Sequence, residues 1–190
     1  MSLPNENFVS LEEFYQMRES TDRILEYIDG TVFMSPSPST QHQRISGRLH
    51  AKLFNFLEEK DCEVFHAPFD IELKNNKNKI DGTKIVIPDL SVICDQSGLM
   101  ENKFVGVPTL IIEILSPSNQ AHDLVFKLNL YMQYGVQEYW IVNPMLNTVQ
   151  IYSLNDEAQY QQTDVLRGKG IARSGVLKGF EINVEELFKS

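Results

Sequence analysis

One segment limits the possible folds more than any other. Residues 109–115 form an apolar run whose interior holds a single carboxylate, Glu113. Ser116-Pro117-Ser118-Asn119 ends the run, and a helical pattern follows from about Gln120 to Tyr134, stopped by Gly135. As a strand, the run puts Ile111, Glu113 and Leu115 on one face and Leu110, Ile112 and Ile114 on the other. A carboxylate buried there without a partner costs several kcal/mol, roughly, or loses its charge. Glu113 therefore either opens onto a cleft or meets a cation.

The remaining elements follow from local pattern. Ser10-Leu11-Glu12-Glu13 fits a capping box that opens a short amphipathic helix ending near Ser20. Residues 24–28 and 31–34 flank Asp29-Gly30 as a hairpin, and the proline-bearing stretch 35–40 is a loop. A long helix is predicted over 42–59, with Ile45, Leu49, Leu53, Phe56 and Leu57 at core spacing. Arg44, Arg48 and Lys52 make a basic line along it, four residues apart. Short strands are expected at 62–66 and 69–73, then a polar hairpin tip over 74–84. A strand-like run over 85–93 is interrupted by Pro88, which belongs at a strand start or edge. Further strands are read at 137–142, 148–154 and near Tyr160, with a glycine-rich loop over 168–175 and a terminal helix from Val184. No shift in composition marks a boundary, so residues 1–190 are expected to form one domain.

Hydrophobic residues make up 42% and charged residues 23% of the chain, an ordinary globular balance. The apolar runs are too short for a membrane-spanning helix, and the first residues carry no secretory pattern, so a cytoplasmic location is expected. Cys62 and Cys94 are read as two buried thiols in a reducing compartment, and neither belongs to a zinc-type pair. The net charge of -9 disfavours tight, non-specific binding to polyanions. Two features soften that objection. Ten basic residues fall within 1–95, and an acidic cluster that recruits a divalent metal makes a chain look too acidic when the metal is not counted.

Asp89 opens a strand at Pro88-Asp89, and Glu113 sits near the end of the next one. If those strands are antiparallel, the two carboxylates converge. A hard divalent ion resolves their repulsion, because Mg²⁺ prefers oxygen ligands and keeps waters in its other positions. Phosphodiester hydrolysis uses such a site to activate water and to steady charge on phosphoryl oxygens. Lys127 lies one to two turns into the following helix, with Asp123 one turn earlier and Tyr131 and Tyr134 continuing that side. Each piece has a plainer reading: a structural aspartate after proline, a buried Glu113–Lys127 ion pair, an ordinary Asp123–Lys127 helix pair. The combination is what points to a metal site.

These same residues carry a family resemblance. Pro88-Asp89, the stretch from Ile112 through Ser118, Asp123, Lys127, Tyr131 and Gly135-Val136-Gln137-Glu138-Tyr139-Trp140 resemble a large family of restriction-endonuclease-like proteins abundant in cyanobacteria. That family was long labelled a domain of unknown function and lies within the PD-(D/E)XK nuclease superfamily. The likeness extends upstream to residues 25–30, Met34-Ser35-Pro36 and His42. It implies an α/β fold with a restriction-endonuclease-like core, a central mixed β-sheet flanked by helices. It also implies Asp89 and Glu113 as metal ligands, Glu26 as an auxiliary acid, and His42 as a family histidine of undefined role. The superfamily lysine position two residues after Glu113 holds Leu115, so Lys127 is expected to reach in instead, and Leu115 to offer its backbone carbonyl to the metal.

Together these readings suggest a Mg²⁺-dependent DNA endonuclease, with Mn²⁺ as a second candidate metal. Phosphate contacts would come from Arg44, Arg48 and Lys52 and from the 74–84 loop, and a homodimer would supply paired active sites. Two rivals stand beside it: a non-catalytic nucleic-acid-binding or protein-interaction module on the same fold, and a hydrolase for smaller phosphate esters. Gly168-Lys169-Gly170 reads as a turn, and His50, His66 and His122 are too scattered for a zinc motif. Tyr131, Tyr134, Tyr139 and Trp140 read as packing, with base stacking left open.

Overall fold

The computed structural model describes residues 8–75, 80–117 and 122–189, with side chains omitted for 122–124. Residues 76–79 of the predicted hairpin tip, Ser118, Asn119 and Gln120, and the side chains of His122 and Asp123, therefore lie outside the described residues.

Helix α1 (Leu11–Glu19) begins at a complete capping box between Ser10 and Glu13. Strands β1 (Leu25–Ile28) and β2 (Thr31–Met34) form the hairpin, and Asp29 and Gly30 both take positive φ, the geometry a two-residue type I′ turn requires. Helix α2 (Thr40–Leu57) starts two residues before the predicted position, because the Ser39 hydroxyl accepts the His42 N–H and caps it. Strands β3 (Glu63–His66) and β4 (Asp70–Leu73) follow.

The run over 85–93 divides into β5 (Lys84–Val86) and β6 (Leu90–Ile93), which belong to different sheets. Ile87, Pro88 and Asp89 carry the chain between them. Strand β7 (Lys103–Gly106) pairs parallel with β4 and had no clear pattern in the sequence. Strand β8 (Leu110–Ile114) is buried throughout. A π-helical segment, His122–Lys127, leads into α3 (Leu128–Tyr134), which ends at Gly135 in the left-handed region. Strands β9 (Glu138–Asn143), β10 (Thr148–Leu154) and β11 (Tyr160–Arg167) form a meander. Strand β12 (Ile171–Arg173) interrupts the expected loop and pairs with β13 (Glu181–Asn183), followed by α4 (Val184–Phe188).

The central sheet has the order β11-β10-β9-β8-β6-β3 and is mixed, with β8 and β9 parallel and the other pairs antiparallel. Leu110, Ile112 and Ile114 pack on one face with the Ile45–Leu49–Leu53–Leu57 row of α2 and with α4. Ile111 and Leu115 pack on the opposite face with α3 and the second sheet, of order β2-β1-β5-β4-β7. This is an α/β fold whose central mixed sheet is flanked by helices. No described helix is long and apolar enough to cross a membrane.

The two thiols expected from the sequence are instead a disulfide joining Cys62 and Cys94. In the antiparallel β3–β6 pair Glu63 faces Ile93, so the next residues outward, Cys62 and Cys94, stand opposite each other. That register could not be read from cysteines separated by 32 residues.

Candidate active site

Leu90 faces Ile112 in the antiparallel β6–β8 pair, which carries Asp89 opposite Glu113. The expected convergence is present. Asp89 Oδ2 accepts the Ile114 N–H at 2.7 Å, while Glu113 Oε2 accepts the Asp89 N–H at 3.4 Å. The two carboxylates thus each hold the other's strand.

Glu113 Oε1 accepts from Lys127 Nζ at 2.8 Å and from Tyr131 Oη at 2.9 Å. Lys127 and Tyr131 are four residues apart, so one side of the helical segment delivers both donors. The same ammonium lies 3.0 Å from Glu26 Oε1, which also accepts the Ile87 N–H at 2.8 Å. Burial, followed by the neighbouring Glu113 charge, pushes the Tyr131 phenol well above its ordinary range, so it acts as a neutral donor. Tyr131 was legible only as a residue on the Lys127 side of the helix; its role on Glu113 was not.

His42, at the start of α2, places Nε2 at 3.1 Å from Asp89 Oδ1. The backbone carbonyl of Asp89 accepts the Ala67 N–H at 3.1 Å, which fastens the β3–β4 turn beside the site. A cavity of about 220 Å³ opens here, and Asp89, Glu113, Lys127 and His42 line it with Ser46 and His66. Glu26, Glu113 and Lys127 are almost fully buried, whereas the Asp89 side chain keeps 19% of its surface exposed. Asp89 is the carboxylate that solvent reaches. Two carboxylates, Glu26 and Glu113, share the Lys127 ammonium, and Asp89 stands opposite Glu113 beside them.

The donors suit a hard cation in type: they are carboxylate oxygens, and an oxygen accepting one hydrogen bond retains a second lone pair. Among the described residues, however, no group of three or more His, Cys, Asp or Glu side chains is arranged to hold a metal. Lys127 stands between Glu26 and Glu113 and neutralises part of the set.

The other sequence candidates divide. Leu115 buries its side chain in the core and donates its N–H to Val142 at 2.8 Å; its carbonyl remains a candidate ligand. Arg48 instead donates to the carbonyls of Leu187, at 2.9 Å, and Lys189, and Lys52 lies 3.7 Å from Glu186. Successive α2 residues rotate by about 100°, so Arg44 and Arg48 lie roughly 120–160° around the helix from His42 and Ser46, and Lys52 about 80° from His42. Arg48 and Lys52 lie beside α4, and Arg44 and Lys52 are the exposed members of the row. Lys84 is buried and paired with Asp29 at 3.0 Å, which removes it from the phosphate candidates. Tyr131, Tyr134, Tyr139 and Trp140 are all core residues, which settles the packing reading over stacking.

A mixed sheet with an acidic pair on adjacent strands and a lysine entering from the next helix defines a nuclease-like fold related to the PD-(D/E)XK superfamily. The chain belongs to the Uma2 family, described as "Putative restriction endonuclease", whose profile matches residues 11–185. It is 32% identical over 172 residues to the uncharacterized protein slr1290 of Synechocystis sp. (strain ATCC 27184 / PCC 6803 / Kazusa), covering 87% of each chain. A second protein of that organism, the uncharacterized protein sll1609, is 22% identical over 169 residues, covering 87% of this chain and 92% of its own. Among solved structures, the fold is similar to a protein from Anabaena variabilis ATCC 29413 described as "a putative nuclease belonging to DUF820". That likeness has a TM-score of 0.75 and 21% identity over 95% of this chain and 97% of the other.

Proposed function

We propose that this chain is a divalent-metal-dependent endodeoxyribonuclease that hydrolyses a phosphodiester directly, without a covalent intermediate. The observation that carries the reading is the Asp89–Glu113 pair, opposed across β6 and β8 at the edge of one cavity. Asp89 and Glu113 would hold Mg²⁺ or Mn²⁺, with the Leu115 carbonyl as a further ligand. When bound, the metal supplies a more acidic water and a positive charge beside the phosphoryl oxygens.

The chain's own groups do the rest. Lys127 orients Glu113 and brings a fixed positive charge to the cavity floor, where charge grows on the substrate. Tyr131 holds Glu113 Oε1 without adding charge. His42 holds Asp89 Oδ1, and Glu26 fixes the Lys127 ammonium from the opposite side. The Asp123 side chain is assigned an auxiliary role on the same helical segment. The proposal includes a homodimer, with one site for each strand, and a cytoplasmic location, against which the disulfide stands as a contrary observation.

The test is cleavage of supercoiled and linear DNA by the purified protein in Mg²⁺. Asp89→Ala should abolish cleavage while the protein still melts cooperatively. Undiminished cleavage by that variant overturns the assignment.

A second reading, a binding module that has lost hydrolysis, is favoured by one observation: Lys127 and Tyr131 already hold a Glu113 oxygen. Calorimetric titration with Mn²⁺ separates the two, since no heat of binding with Asp89 and Glu113 intact supports the module.

A further inference from the structure

We infer that Cys62–Cys94 is a reversible thiol–disulfide exchange site, opened by a dithiol at Cys62, that controls how firmly strand β3 holds the Asp89 end of the cavity. Its effect on cleavage rests on the nuclease reading; the opening of the bond does not.

Strand β3 is an edge of the central sheet and has β6 as its ladder partner. The registered pairs run from Glu63–Ile93 to His66–Leu90, so the strand has the disulfide at one end and the site at the other. At the site end, His66 lines the cavity, and the next residue, Ala67, donates its N–H to the Asp89 carbonyl at 3.1 Å. At the far end the disulfide ties β3 to β6 covalently. The loop it closes contains His66, Pro68 and Asp89. An exposed Gln96 side chain also reaches the Asp61 carbonyl at 3.3 Å, a weak substitute for the covalent tie.

The bond lies where a reductant can reach it. Both cysteines are half-buried, and Cys62 lines a cavity of about 380 Å³ rimmed by exposed Phe54, Glu63 and Gln96. Access of this kind marks the labile disulfides, whereas enclosed ones resist exchange. One thiolate of the dithiol attacks the Cys62 sulfur and expels Cys94 as a thiolate, which takes up a proton. The second thiolate of the dithiol then closes on its own partner sulfur and releases Cys62, which is protonated in turn. Two electrons and two protons pass from the dithiol to the protein, leaving two cysteine thiols and one cyclic disulfide. What then holds β3 is its ladder to β6 and the packing of Val64 and Phe65 on opposite faces of the sheet. A short edge strand held in this way opens more often, and each opening takes the Ala67 N–H off the Asp89 carbonyl. Exchange also fits the cytoplasmic location proposed above, where disulfides are usually transient and redox-sensing.

Hydrogen exchange followed by mass spectrometry tests this on the oxidised protein, on protein reduced with dithiothreitol, and on the double variant Cys62→Ser, Cys94→Ser. Under native conditions iodoacetamide should alkylate both cysteines of the parent chain only after dithiothreitol treatment. Amides of residues 63–67 should then exchange at least about tenfold faster, in the reduced protein and the double variant alike, while those of β9 stay unchanged. Diamide added after dithiothreitol is removed should restore slow exchange in the parent chain and do nothing to the variant. The reduced parent chain carries the comparison should the double variant fold poorly. A bond that dithiothreitol opens only in denaturant overturns the inference, as does exchange at 63–67 that reduction leaves unchanged. Cleavage of DNA in Mg²⁺, measured after removal of dithiothreitol, should fall at least about fivefold on reduction and recover with diamide, as a displaced Asp89 lowers turnover. Reduction-dependent exchange in a protein that cleaves no DNA in either form retains the exchange site and overturns hydrolysis. Cleavage indifferent to reduction retains hydrolysis and overturns control through β3.

Discussion

Replacing Lys127 by methionine tests the energetics of the site without requiring a substrate. The ammonium lies 2.8 Å from Glu113 Oε1 and 3.0 Å from Glu26 Oε1, and all three side chains are at most 5% exposed. Methionine keeps the volume and removes the charge, leaving two buried carboxylates without their shared cation. Breaking a buried pair from one side costs about 3–5 kcal/mol, because the remaining charge stays desolvated. The Ile87 N–H on Glu26 and the Tyr131 hydroxyl on Glu113 still bind after the change, which argues for the lower end of that range. For a chain of this size each kcal/mol moves the melting temperature by about 2–4 °C, so Lys127→Met should melt roughly 6–12 °C lower. Adding Glu26→Gln removes one stranded charge and retains an acceptor for Ile87. The double variant should therefore recover part of the loss, with a coupling of about 0.5–3 kcal/mol. Thermal denaturation followed by circular dichroism at neutral pH measures both. A Lys127→Met protein that melts within 2 °C of the parent, roughly 1 kcal/mol or less, refutes the claim that this cation holds the acidic cluster together.

Three further outcomes follow from the same contacts. Tyr131→Phe deletes a buried hydrogen bond to a carboxylate and should cost about 1.5–3 kcal/mol in urea denaturation, with secondary structure unchanged. Reducing Cys62–Cys94 opens a 32-residue loop and should lower stability by about 2–4 kcal/mol; thiol counting on the unreduced, denatured protein should detect no free thiol. Burial raises the Tyr131 and Tyr160 phenols above the ordinary value of 10.0, so the native state keeps protons that the unfolded chain releases. Stability contributed by these groups is fully present below pH 10 and should fall as pH rises beyond it. Phenolate absorbance from these two residues should then appear only with unfolding.

The site was legible where burial and charge conflict within a few residues. Glu113 stands out because a carboxylate interrupts a run with no other polar interior position, and alternation assigns it a face. Asp89 follows because a proline marks where its strand starts, although pattern alone does not say which strand lies beside it. What sequence could not provide was sheet membership. Residues 85–93 read as one interrupted strand, yet the halves on either side of Pro88 join different sheets. Strand β7 is four residues long and pairs in parallel with a distant partner, so neither periodicity nor a hairpin turn announces it. Strand β11 is largely exposed and polar, and lies at the sheet edge, where no buried face enforces alternation. The basic row of α2 shows the same gap: helical spacing identified the row but could not reveal that α4 covers part of it.

The measurement closest to the central claim is a crystal structure from Mn²⁺-containing solution, read through the manganese anomalous signal. The account predicts a peak bonded to carboxylate oxygens of both Asp89 and Glu113, with Lys127 still within reach of Glu113. Saturating manganese that leaves this pair unoccupied, or that binds only elsewhere on the molecule, contradicts it.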